Sequence, residues 1–449
     1  MTAELAGPRG ETGREAGERA GERAVAPAPG VREVPRVVAV GRPPAAGALD
    51  ALRGVRWLSR VAYRAARKPL LRALRALPLY RRAARLPRND VVDARAAAAT
   101  RGGRFVPVHP SERVPLLARA GECVPALFDG VREFTTPETF VAELSEARLY
   151  GRGVAVIARD GRLVADATVH LKGRIEDHNV MGRFALPRAE RLRGTTAVLS
   201  APGGNTYFHW LFDMLPRLEI LRRAGYDLAA VDRFAVNSVR HGFQRETLPL
   251  FGIREERVLS SDRHRHVVCE RMVLPSFPCV SDYIPRWACD FLVRSILEPA
   301  LRARPSAEPT PERIYVSRQR GGKRRIHNHA ALEPVLARLG FVTVHPEEHS
   351  VAEQARLFHG ATVIFGAHGS GFANLVFCRP GATLVELFEP HPARTTSAYW
   401  VLSRQVGVTY RALPARRAVE STAPIDLWAD VDAVERVLEE AVGGARRAE

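Results

Sequence analysis

The sequence predicts an α/β protein built from two Rossmann-like units, preceded by a disordered tail and a basic amphipathic helical segment. Three observations carry that expectation. After residue 205, short apolar runs alternate with helical stretches, the pattern of a parallel sheet covered by helices. At 46% hydrophobic and 26% charged residues, the 449-residue chain can bury full cores, and its length suits two large domains or three small ones. The first fifty residues differ from the rest. The near-repeat Gly17-Glu18-Arg19-Ala20, Gly21-Glu22-Arg23-Ala24 runs into a Pro/Ala stretch that cannot bury enough apolar surface to offset its chain entropy.

The elements follow in order. Residues 1–49 form the tail, and residues 50–90 the basic helices. Of the net charge of +18, residues 51–90 carry +11, so the basicity is local and a global nucleic-acid role loses its support. Arg53, Arg56, Arg60, Arg64 and Arg67 make one stripe, and Leu52, Val55, Leu58 and Ala62 lie on another face beside Trp57. Leu70, Leu74 and Leu77 line a second short helix between Pro69 and Pro78. Such a segment suits an anionic membrane surface, with a solvated helix or a partner-docking arm as the competing reading. Residues 91–305 make an α/β domain that begins with β-like runs, including a hairpin at Gly153–Ala158 and Leu163–Ala165 around Asp160-Gly161. Strands are predicted at Phe234–Val236, Arg271–Leu274, Arg313–Ser317, Phe341–Val344, Thr362–Gly366 and Thr383–Leu387, a linker at Pro305–Pro311, and a last helix at about 430–442. Residues 306–449 make the second α/β domain.

No run of 18 apolar residues is present, so a spanning helix is excluded, and the N-terminus has no apolar core of a secretory signal. Cys123, Cys269, Cys279, Cys289 and Cys378 form no CxxC pair, which points to a reduced, cytoplasmic protein without a disulfide framework or zinc ribbon.

Four segments could carry chemistry. In Thr362–Leu375 an apolar strand ends in the Gly-rich turn Gly366-Ala367-His368-Gly369-Ser370-Gly371, which opens a helix containing Asn374. Such turns let backbone N–H groups approach a phosphate, although a tight strand–helix connection needs the same glycines. Just upstream, Ser350 to Glu353 is a capping box, followed by Gln354. Tyr315–Arg318 delivers an arginine from a strand end, and Lys323, Arg324 and Arg325 follow on a glycine-containing loop. Guanidinium forks suit a diphosphate, with a basic surface loop as the alternative for Lys323 and Arg324. His209, Asp213 and Arg217 fall at successive i, i+4 positions of an otherwise apolar helix with Asn205 as its N-cap. A histidine with a carboxylate one turn away can act as a general base, or stand as a satisfied core pair. Glu386 lies inside an apolar strand, where it either binds ribose hydroxyls or pairs with an arginine. Metal chemistry is thin: His264 and His266 lack a third ligand nearby, and Asp430-Val431-Asp432 directly precedes a helix that acids would cap.

Together, Asn205–Leu218, Tyr315–Arg318, Glu353-Gln354, His368–Phe377, Pro380-Gly381 and Glu386 resemble glycosyltransferase family 61, over roughly residues 150–420. Three positions depart from the family pattern. His329 stands where Glu is usual, Ser370 where Ala is usual, and Ala373 where Thr is usual. The resemblance implies a GT-B-like, inverting transferase that moves a sugar from a nucleotide-sugar, commonly a UDP-sugar, to a hydroxyl of a cell-surface or capsular polysaccharide precursor. It implies His209 and Asp213 as catalytic residues, with either as the base. It further implies a donor site of Arg318, Arg325, His368, Gly369, Ser370, Gly371, Asn374 and Glu386. The expected partners are the donor, a glycan or lipid-linked glycan acceptor and an anionic membrane at its inner face, with no nucleic acid. Two other classes share these features: a GT-B-like nucleotide-sugar epimerase and a non-catalytic polysaccharide-assembly protein. No essential metal is expected. Activity should therefore persist in excess EDTA, and complete loss restored by manganese would reverse that expectation.

Overall fold

The computed structural model describes residues 69–100, 103–118, 121–128, 131–151, 154–168, 175, 178–279, 283–303, 310–391, 396–419 and 425–445. The predicted tail, the arginine stripe at 53–67 and most of the predicted linker lie outside the described residues.

Two sheets organise the chain. The first has nine strands: β1 (Val91–Val92), β2 (Phe105–His109), β3 (Thr139–Tyr150), β4 (Ala155–Ile157), β5 (Leu163–Val164), β6 (Glu190–Val198), β7 (Arg233–Val236), β8 (Val258–Ser260) and β9 (His266–Pro275). Their spatial order is β1-β5-β4-β3-β9-β6-β7-β8, and β2 also pairs with β3. β9, β6, β7 and β8 run parallel, while β3 is antiparallel to β2, β4 and β9. The second sheet is wholly parallel: β10 (Arg313–Val316), β11 (Val342–Val344), β12 (Val363–Ala367), β13 (Thr383–Phe388) and β14 (Thr409–Pro414), in the order β11-β10-β12-β13-β14. All six strands and the hairpin anticipated from the pattern are present.

Side-chain alternation sorts the cores. Phe234 and Val236 enter a core that also takes Ile314, Val316, Ile364 and Leu384, so one apolar layer serves both sheets. Ala235 turns to a second cluster behind the first sheet. Val363, Phe365, Val385 and Leu387 turn to a third, closed by Val434 and Leu438 of the last helix, Val431–Ala445. Burial on both faces is why the parallel strands read as continuous apolar runs. A segment from early in the chain also reaches the second sheet: Cys123 exchanges backbone hydrogen bonds with Tyr410 and Ala412 beside β14 (3.1 and 2.8 Å).

One helical stretch occupies the centre. It is α-helical at Tyr207–His209, π-helical at Trp210–Met214 and α-helical again over Pro216–Arg223, together α1. Trp210 is fully buried and donates its indole N–H to Thr247 Oγ1 at 2.8 Å. The expected N-cap is corrected. Thr206 holds that position, and Asn205 instead bonds Asp262, Ser238 and Gln244 (3.0, 2.6 and 3.3 Å).

The described end of the basic segment is docked on the body. Residues 69–76 are helical, followed by a helix at Pro78–Ala83. Leu71 and Arg75, one turn apart, are the buried pair rather than the expected leucine face. The Arg75 guanidinium donates to the carbonyls of Val180 and Arg183 (2.8 and 3.4 Å). Leu70, Leu77 and Leu79 remain 51%, 56% and 82% exposed. Among the described residues no helix is long and apolar enough to cross a membrane.

Candidate active site

Parallel sheets bind ligands outside the carboxyl ends of their strands, at the point where the strand order reverses. Each sheet has one such point. In the first sheet the chain steps from β6 outward through β7 and β8, then returns with β9 on the other side of β6. In the second sheet the reversal lies between β10 and β12. The residues singled out by the sequence gather at these two crevices.

At the β6/β9 crevice, the loop after β6 leads into α1, and the residues after β9 include Cys279. His209 Nδ1 lies 2.7 Å from Asp213 Oδ2, so the i, i+4 spacing produces the pair it suggested. The other carboxylate oxygen, Oδ1, accepts from the Cys279 thiol at 3.0 Å. Cys279 carries no motif, and nothing in the sequence marked it. Gly203 has φ +79°, and a Cβ there would come within 2.5 Å of the His209 ring, so the loop packs directly on the imidazole. The His209 side chain is 32% exposed and that of Asp213 16%. Arg217, the third member of the stripe, is fully buried. It donates to the carbonyls of Leu199, Ser200 and Pro275 and stacks over Phe277 at 4.6 Å. Burial disfavours its charge, Asp213 favours it, and the carbonyl acceptors hold it as a cation.

At the β10/β12 crevice, Arg318 follows β10 and His368-Gly369 follows β12. A cleft of about 300 Å³ there is lined by Arg318, Arg320, Glu347, Gly369 and Gly371. The Arg318 guanidinium packs so closely on Gly369 that a Cβ on the glycine would overlap it. Gly369 is therefore required by close approach, its own backbone being extended (φ 172°). Burial lowers the Arg318 pKa, and the neighbouring charge of Arg324 lowers it further. Two like charges held together in this way favour an anion. The helix that the turn opens, Ser370–Phe377, is a 3-10 helix.

Several expected roles change. Glu386 neither faces solvent nor meets an arginine. It is 2% exposed, with Oε1 2.5 Å from His368 Nδ1 and Oε2 accepting from Tyr410 Oη at 2.7 Å. Burial and that carboxylate push the Tyr410 phenol well above its ordinary pKa, so it stays a donor. Arg325 is tied to Asp426 through Nε and Nη2 (3.0 and 2.9 Å). Its neighbour Arg324 reaches the turn instead, donating to the His368 carbonyl at 3.1 Å from a left-handed backbone (φ +59°). Asn374 is fully buried. Its Oδ1 accepts from Tyr207 Oη (2.8 Å), and its Nδ2 donates to Gln354 Oε1 and the Gly371 carbonyl (2.8 and 3.1 Å). Gln354 in turn donates to the Pro346 and His349 carbonyls. This polar chain joins α1 to the Gly-rich turn. The capping box forms as read.

An aromatic relay also connects the crevices. Phe208 meets Tyr399 edge-on at 5.9 Å, Tyr399 lies 5.0 Å from the His368 ring, and Tyr399 Oη donates to the Gly369 carbonyl at 2.6 Å. His264 and His266 turn to separate partners, Glu190 and the Pro187 carbonyl, and Asp430 caps the last helix. Among the described residues, no group of three or more His, Cys, Asp or Glu side chains is placed to hold a metal ion.

Two histidine–carboxylate pairs thus lie at the reversal points of the two sheets, one of them beside clustered arginines. Residues 207–385, which include His209, Asp213, Arg318 and His368, match the family model described as Glycosyltransferase 61. That match, over this segment of the chain, supports membership of the family and a glycosyltransferase activity. No curated protein matches the chain.

Replacing Gly369 with Ala should displace Arg318 and weaken nucleoside diphosphate binding as much as Arg318→Ala does. Calorimetry with UDP checks this, and unchanged affinity in both variants would remove Arg318 and Gly369 from the donor site.

Proposed function

We propose that the protein is an inverting, GT-B-like transferase that moves a sugar from a nucleotide-sugar, in the first instance a UDP-sugar, to a hydroxyl of a polysaccharide precursor. The observation that carries this reading is the division of chemistry between the crevices, a histidine–carboxylate pair at one and clustered guanidinium groups at the other. Residues 91–305 take the acceptor and residues 306–449 the donor.

Both oxygens of Asp213 are engaged, by His209 Nδ1 and by the Cys279 thiol, which favours His209 as the base. With Nδ1–H donated to Asp213, Nε2 is the nitrogen that takes the acceptor hydroxyl proton. The hydroxyl oxygen then bonds to the anomeric carbon as the bond from that carbon to the phosphate oxygen breaks, inverting the centre. The leaving diphosphate gains negative charge, which Arg318, Arg324 and the N–H groups of the Gly369–Gly371 turn stabilise. His368, oriented by Glu386, supplies a further contact at that end. Tyr207, Asn374 and Gln354 position the turn from inside the protein. His209→Ala should lower turnover on the order of 10²–10⁴-fold, the usual worth of a general base, with UDP affinity unchanged. Product analysis across a UDP-sugar panel is the readout. Full activity in that variant, or epimerised sugar without transfer, would sink this mechanism.

The same reading places the enzyme at an anionic membrane surface through the basic segment. Exposed Leu70, Leu77 and Leu79 lie among Arg72, Arg81 and Arg82, which suits apolar insertion backed by charge, each arginine contributing about 1 kcal/mol near an anionic leaflet. The full chain should co-sediment with anionic liposomes at low salt and dissociate as salt rises. Equal partitioning onto neutral liposomes would argue against the tether.

A further inference from the structure

A cleft of about 600 Å³ opens where β7 and β8 end, and neither histidine–carboxylate pair lines it. Arg240 and Arg245 enter it after β7, Arg263 and His264 after β8, with Glu255 and Asp262 beside them. Its volume suits a ligand of sugar size rather than a bare ion. The Arg263 guanidinium makes no hydrogen bond or ion pair among the described residues. Arg245 Nη1 is anchored on the carbonyls of Val239 and Arg240 (2.9 and 2.8 Å), which fixes its guanidinium at the wall. His264 is held by Glu190 at 2.7 Å. Of the two carboxylates, Asp262 already accepts from the Asn205 amide at 3.0 Å. Three guanidinium groups thus face one carboxylate that has no ion-pair partner among the described residues, Glu255. No Phe, Tyr or Trp side chain lines the cleft.

We propose that this cleft is an acceptor subsite for an acidic sugar, a glycan unit that carries a phosphate or a carboxylate. Arg240, Arg245 and Arg263 meet the anion, for which their planar forks are suited, and Glu255 with the Ser238 and Ser260 hydroxyls meets the sugar hydroxyls. The Asn205–Asp262 bond ties the cleft to the loop that carries His209 four residues later, so an acceptor seated here is registered against the base. The assignment as acceptor rests on the transferase reading, whereas the anion site itself does not.

The test is calorimetry on the full chain with glucose 1-phosphate, glucuronate and glucose, with UDP titrated separately. A charged sugar should bind and glucose should not. Arg240→Ala and Arg263→Ala should each weaken that binding about 10-fold or more, the range of a charge-assisted hydrogen bond, and leave UDP affinity unchanged. Binding of the phosphate alone or of the carboxylate alone supports the site and names the anion. Charged sugars binding no better than glucose, or binding unchanged in both variants, would overturn the proposal. If acidic sugars bind as expected and are never glycosylated, the subsite stands and the transferase reading is what fails.

Discussion

A single buried cation sets the geometry of the first crevice. Where β6 and β9 end, the carbonyls of Leu199, Ser200 and Pro275 point into a space closed to water. Each unmet carbonyl there would cost about 1–3 kcal/mol. Arg217 donates to all three. A guanidinium buried so completely needs a negative neighbour, and Asp213, one helical turn earlier, is the charge that favours it. That carboxylate then holds the His209 ring on one oxygen and the Cys279 thiol on the other. The polar stripe is thus graded along α1, from the fully buried Arg217 to the 32% exposed His209 side chain. The structural end of the stripe fixes the chemical end.

The second crevice repeats the device with different parts. Glu386 orients His368, and its remaining oxygen is occupied by a tyrosine where Asp213 has a cysteine. In both, each carboxylate oxygen has a partner. The two crevices are also mechanically linked. Tyr207 opens the helix that carries His209 and closes the amide chain through Asn374 and Gln354 to the loop at 346–349. With Phe208 against Tyr399 and Tyr399 on Gly369, a shift of α1 is felt at the Gly-rich turn.

What the sequence made legible follows from the range of each signal. Short apolar runs located β7 and β10 to β13, because strands buried on both faces read as continuous apolar stretches, whereas β14 was not anticipated. The first sheet's β3 and β6 were not anticipated. Glu190-Arg191-Leu192-Arg193-Gly194-Thr195-Thr196 is polar over most of its length, and only tertiary pairing with β9 makes it a strand. His209 and Asp213 were legible as a pair because helical spacing is local. Glu386 was legible as costly but not as a partner of His368, since that contact arises from the register of β12 and β13, which sets Gly366 beside Glu386 and Ala367 beside Leu387. Arg324 and Arg325 could not be ranked from sequence. Their roles depend on one left-handed residue in the loop and on Asp426, a hundred residues away.

Charge, rather than residue type, separates the tasks of the two histidines. Arg217 stands one turn from the first pair, but its guanidinium is saturated by carbonyls and closed off from any ligand. In the proposed reaction, a substrate at His209 would meet a proton acceptor without an available cation. At the second pair, Arg318 lines an open cleft and feels the charge of Arg324, which grips the His368 carbonyl. A group arriving there meets clustered positive charge first. The proposed transfer, in which one partner loses a proton and the other departs as a diphosphate, would need that asymmetry, because cations crowding the base would oppose proton uptake. The carbonyl-saturated position of Arg217 and the cleft-lining position of Arg318 are thus two halves of one electrostatic arrangement, and exchanging their environments would leave neither crevice suited to the step proposed for it.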